Sequence, residues 1–176
     1  MKGKKIRTTG IWSDYARLCG ASPVNVAWAD IYMATKLGTV DGWIAGSATM
    51  EELKLKETTK YYVSSPVISL AGGNILINMD AYKKLPKDIQ DILHDEAPAF
   101  LCGAASTGWH NQCLWVLHNA VKEYGLTVYQ WSAKDIAWIT QQVVDVIYPK
   151  LAAKSANMAK LMNMVLKQMR DYGRIK

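Results

Sequence analysis

Three kinds of side chain in this 176-residue chain stand where they could do chemistry. His110 and Cys113 lie one helical turn apart, which allows two metal ligands on one helix face, and Cys102 precedes His110 by eight residues. No third ligand follows at a recognisable spacing, and residues 97–121 carry no Asp, Glu, Lys or Arg. The cluster therefore reads as a buried helix with incidental polar groups, and neither a metal site nor a Cys–His nucleophile is expected. Arg7 is the second kind, at the end of the strand-like run Lys5–Thr8. A guanidinium offers a rigid fork of donors that meets a carboxylate bidentately. At the carboxyl end of a buried strand that fork faces a cleft; in a solvated basic run from Lys2 to Arg7 it faces only water. Trp43 is the third, set at the mouth of the loop Ala45-Gly46-Ser47. It reads either as a ligand wall or as packing beneath that loop.

Composition narrows the function classes. Half of the residues are hydrophobic and 20% are charged, so the chain is globular. Seven Trp and nine Tyr against one Phe favour side chains that pair an apolar face with a polar handle. The net charge is +6, with the basic residues gathered toward both ends. No element alternates basic and aromatic residues, so nucleic acid is not expected as a partner. Three cysteines without C-x-x-C spacing imply no disulfide framework. The start, MKGKKIRTTG, has no apolar run behind it and is no signal peptide, and no segment reads as a membrane span. No G-x-S-x-G, Walker loop or G-x-G-x-x-G occurs, so no enzyme is indicated.

The elements that must position these residues alternate. Strands are expected at Lys5–Thr8, Pro23–Val26, Val40–Ile44, Tyr61–Ser69 and Asn74–Met79, the last two separated by Ala71-Gly72-Gly73. Helices are expected at Ser13–Cys19, ended by Gly20, and at Ala29–Leu37, closed by Gly38, with Ile31, Ala34 and Leu37 on one face. The capping-box spacing of Thr49 to Glu52 predicts another helix start. This alternation predicts an α/β fold with a mostly parallel, helix-covered sheet, in which ligands sit beyond the carboxyl ends of the strands. Residues 86–125 read as one long helix, on the order of 50 Å, kinked near Pro98, Gly103 or Gly108 and needing cover from another lobe or subunit. A strand at Thr127–Trp131, a helix capped by Ser132 and bent at Pro149, and a last helix from Ser155 complete the chain. Met158, Leu161, Met162, Val165, Leu166 and Met169 form a stripe on that last helix, read as core packing or as an oligomer seam.

The series KGKKIRTTG (2–10), CGASPVNVAWADIYMATKLGTVDG (19–42) and NMDAYKKLPKDIQDIL (78–93) resembles the second half of the solute-binding proteins of tripartite ATP-independent periplasmic (TRAP) transporters. The tail MRDYGRI (169–175) is similar to the closing helix of longer members, some of which resemble helix-swapped dimers. The resemblance implies a periplasmic-binding-protein-like fold (class II type), hinged as a two-lobe clamshell. It implies a periplasmic protein without catalytic chemistry that delivers an organic acid to integral membrane subunits. The family is about twice as long, so the chain is expected to be a fragment. Residues 1–85 would be the second lobe, 86–125 the hinge helix, and 126–176 a strand and helices returning to the first lobe or to a partner subunit. Arg7 matches the family arginine that pairs with the ligand carboxylate. The Asn that commonly bonds the ligand falls at Ala45, and a Glu associated with a metal falls near Ile44, so no metal or cofactor is carried over. With Trp43, Ile44 and Ala45 as one wall, Trp12 as the opposite wall and Ser69 as a third approach, the ligand is expected to be a monocarboxylate with an apolar or aromatic body. The alternative is an assembly module that dimerises through its long helices and binds no ligand.

Overall fold

The computed structural model describes residues 1–64 and 76–175. Its first half is a three-stranded parallel sheet in the order β2-β1-β3, built from β1 (Lys5–Arg7), β2 (Ser22–Val24) and β3 (Gly42–Trp43). Between the strands run α1 (Trp12–Leu18) and α2 (Ile31–Lys36), the latter entered through a 3₁₀ turn at Trp28–Asp30. Gly20 and Gly38 adopt positive φ after these helices, as a helix stop requires. The crossovers leave β1 in the middle, pairing Arg7 with Val24 on one side and with Trp43 on the other. Asp41 fastens the entry to β3: its carboxylate accepts the Lys5 N–H at 2.7 Å, while its own N–H donates to the Lys5 carbonyl at 2.7 Å.

The sheet separates two cores. On one face Ile6 packs with Ala16 and Ala21, and Ile44 lies against them. On the other, Ile31, Met50, Leu55, Val116, Ala120 and Leu126 form the largest cluster, with Trp43 packed on it. Strand alternation accounts for this split, since neighbours on a strand point to opposite faces.

Several expectations need adjustment. The third strand is shorter than Val40–Ile44, and the second begins and ends earlier than Pro23–Val26. A helix, α3 (Thr49–Glu52), does start at Thr49, but it is a single turn whose cap position is Ala48, and no side chain caps it. Thr49 is buried inside the first turn, so the capping-box spacing has no capping box behind it. Leu37 is 71% exposed while Ile31 and Ala34 are buried, because the helix ends before Leu37 can return to the core face. The strand expected at Asn74–Met79 cannot extend to its end: the Asn78 side chain caps α4 (Met79–Lys83), accepting from the Asp80 and Ala81 amides. The strand from Tyr61 is described as β4 (Tyr61–Ser64); its continuation to Ser69 and the Ala71-Gly72-Gly73 loop lie outside the described residues.

The long helix is present. α5 (Lys87–Phe100) and α6 (Ser106–Tyr124) are joined without a break by a π-helical turn at Leu101–Ala105, and Gly125 ends α6 in the left-handed conformation. The wide turn follows Pro98, which removes one amide from the ladder and pushes its ring toward the preceding turn. No residue of α5 is buried, and only Val116 and Ala120 of α6 are. β5 (Thr127–Gln130) then pairs in parallel with β4, forming a second sheet. Ser132 caps α7 (Ala133–Gln142), accepting the Asp135 amide at 3.1 Å. A second π-helical turn precedes α8 (Tyr148–Ala152), and Ser155 caps α9 (Ala156–Asp171) by accepting the Met158 amide at 3.1 Å.

Candidate functional site

The carboxyl ends of the three parallel strands bring Arg7, the loop after β2 and the loop after β3 to one edge. Arg7 is only 5% exposed. Its Nε donates to the Val26 carbonyl at 3.0 Å, and its guanidinium carbon lies 5.5 Å from the centre of the Trp28 ring. β2 ends at Val24, so the chain turns out of the sheet in time for the Val26 carbonyl to meet that Nε. Among the described residues no carboxylate forms an ion pair with Arg7. Burial pulls its pKa below the ordinary arginine value. Among the described residues only its Nε has a hydrogen-bond partner, so its two terminal nitrogens stand open to an acceptor.

Trp43 stands beside Arg7 on the adjoining strand, and the Ile44 amide donates to the Arg7 carbonyl at 3.0 Å. Residues in register on parallel strands project to the same face, so Arg7 and Trp43 share one. Trp43 is half-buried and packs on the Ile31–Met50–Val116 cluster. Ile44 turns the other way, onto Ile6 and Ala16 and also onto Tyr15, Ile139 and Ile147. Trp12 joins that second group, edge-on to Tyr15 at 6.2 Å. The sheet thus parts the expected wall: Arg7 and Trp43 lie on one face, Trp12 and Ile44 on the other. Ala45 is half-buried between them in sequence. Ser69 lies outside the described residues.

Trp28 is the residue that sequence reasoning missed. It is 46% exposed and lies over Arg7, in the loop that follows β2. The signal was present, because this loop is the third to leave the carboxyl edge of the same sheet. Thr8, the next residue after Arg7, is buried and shares a 2.8 Å hydroxyl–hydroxyl hydrogen bond with Ser13, which fixes the loop into α1. Among the described residues no group of three His, Cys, Asp or Glu is gathered as a metal would need, and no helix is long and apolar enough to cross a membrane.

Residues 1–155 match the family model described as bacterial extracellular solute-binding protein, family 7. Solved structures with the same fold include a TRAP periplasmic solute-binding protein from Rhodoferax ferrireducens with bound malonate. It is 21% identical, with a TM-score of 0.76 over 99% of this chain and 56% of that one. A Desulfovibrio salexigens TRAP periplasmic solute-binding protein with bound orotic acid is 22% identical, with a TM-score of 0.74 over 93% of this chain and 53% of that one. A marine metagenome TRAP solute-binding protein specific for aromatic acid ligands, in complex with metahydroxyphenylacetate, is 18% identical. Its TM-score is 0.76 over 97% of this chain and 56% of that one. The chain therefore spans about half the length of the solved structures it matches.

Proposed function

Since the chain belongs to the bacterial extracellular solute-binding protein family 7, we propose that it binds a small organic acid for delivery to the integral membrane subunits of a TRAP transporter, in the periplasm. The observation that carries this reading is Arg7. Its guanidinium is buried, held in place by the Val26 carbonyl and the Trp28 ring, and without an acidic partner among the described residues. An anion arriving at the two terminal nitrogens would neutralise a charge that the fold has already desolvated. The fork is pre-set, so little rotamer freedom is lost on binding.

The ligand proposed is a monocarboxylate with an apolar or aromatic body. Two indoles, Trp28 and Trp43, share the neighbourhood of Arg7, and Ala45 offers no side-chain hydrogen bond where relatives place Asn. Related proteins were solved with metahydroxyphenylacetate or mandelate, and others with orotic acid, malonate or galacturonate. Calorimetry with phenylacetate, malonate and galacturonate tests the choice. Phenylacetate is expected to bind at least 10-fold more tightly than either competitor, a difference of about 1.4 kcal/mol. Tighter binding of malonate or galacturonate would reject the apolar body.

One observation favours a second reading. Ile92, Phe100, Leu114 and Trp115 are exposed along α5 and α6, as they would be if the long helices paired with another copy and no ligand bound. Size-exclusion chromatography with light scattering separates the two, since a strict monomer at high micromolar concentration leaves that reading without support.

A further inference from the structure

The loop that follows Trp43 at the end of β3 is tied to the long helix. Ser47 is buried at 5% exposure, and its Oγ donates to the Cys113 carbonyl of α6 at 2.9 Å, across 66 residues of chain. Gly46 lies against Trp109: a Cβ there would make contact at 3.4 Å with Cζ2 of that ring. Farther along, Trp43 packs on the cluster that holds Val116 and Ala120. Residues 109, 113, 116 and 120 recur at helical spacing, so one stripe of α6 supports the loop from Trp43 to Ser47. Most contacts in this stripe are apolar and tolerate sliding. The Ser47 hydrogen bond is directional and sets the register.

We propose that Ser47 is a positioning residue, which locks the loop of residues 44–48 to α6 and thereby fixes the side chain of Trp43, whose backbone β3 holds in register with Arg7. This rests on the acid-binding reading above for its functional half, while the lock itself is a property of the unliganded chain.

Two readouts on the full chain keep the lock and the binding reading apart. Hydrogen exchange of peptides covering residues 43–50, without ligand, should rise about 10-fold in Ser47→Ala, with other regions unchanged, and return toward wild type in Ser47→Thr. Phenylacetate affinity by calorimetry should fall about 5-fold in Ser47→Ala, and no further fall should appear when Ser47→Ala is added to Trp43→Ala. Wild-type exchange in Ser47→Ala overturns the lock. Raised exchange with unchanged affinity, or additive losses with Trp43→Ala, overturns the positioning role. If the wild-type chain does not bind phenylacetate, the ligand reading fails and the exchange data alone decide the lock.

Discussion

A buried guanidinium is costly unless something shares its charge, and at Arg7 the sharing is partial. The Val26 carbonyl takes one N–H and the Trp28 ring faces the cation, and among the described residues no acceptor meets the terminal nitrogens. On the proposed acid-binding reading, Trp28 steadies the Arg7 guanidinium that meets the ligand. Trp28→Ala should weaken carboxylate binding about 10-fold and Trp28→Phe should recover most of that loss, consistent with a cation–π contribution of about 1 kcal/mol. Calorimetry on the two variants checks the order. The place of Arg7 at the end of β1 was legible in the sequence from the run Lys5–Thr8 and from the family resemblance, while the run of basic residues alone left a solvated surface equally open. Trp28 was not legible, because β2 ends at Val24 and releases a loop that a strand through Val26 would have hidden. The pairing of Trp43 with Ile44 as one wall was misread for a related reason. Two consecutive residues at a strand end cannot face the same side.

The elements hold this edge through a few directional contacts. Asp41 joins the start of β3 to the start of β1, and its carboxyl is held below the usual carboxylate range, first by the Lys5 amide and then by the charges of Lys4 and Lys5. A carboxyl whose pKa is lower folded than unfolded adds stability above the ordinary range and loses it as pH falls through the lower folded value. Melting temperature should therefore drop below about pH 4, and Asp41→Asn should flatten that acid limb. Parallel melting curves for the two proteins between pH 2 and 6 would contradict this. At the far end of the chain, Ser155→Ala removes the α9 cap and should cost about 1 kcal/mol in chemical denaturation. The Ser132 and Ser155 caps were readable from residue type and spacing, whereas Thr49 shows the same spacing without the bond. Its residue is buried by tertiary packing before it can cap.

At the scale of the whole molecule, packing is uneven. The β2-β1-β3 half buries Ile31, Met50 and Leu55 completely, while α5 buries nothing among the described residues. The α9 stripe is divided as well: Met162 is buried, Met158, Val165, Leu166 and Met169 are half-buried, and Leu161 faces outward, as does Met164 beside the stripe. Met162→Ala should destabilise by about 2 kcal/mol or more, and Met164→Ala by less than about 0.5 kcal/mol. Equal costs in denaturant titrations would mean that the outer face is covered in solution. The parallel α/β alternation and the long helix were legible because periodicity, glycine stops and the proline mark them locally. The pairing of β4 with β5 was not, since Tyr61 meets Thr127 across the intervening chain with no local signal. Along the long helices Ile92, Phe100, Leu114 and Trp115 are exposed.

The central claim is that Arg7 is a desolvated cation waiting for a ligand carboxylate. The direct test is thermal unfolding of wild type and Arg7→Met at pH 7 across a phenylacetate titration. The wild-type melting temperature should climb with ligand concentration, because only the folded chain binds. Arg7→Met should unfold within about 1 kcal/mol of wild type without ligand, the lost contacts being offset by removal of a buried charge, and should show no climb. An Arg7→Met chain stabilised by phenylacetate as much as wild type would contradict the account.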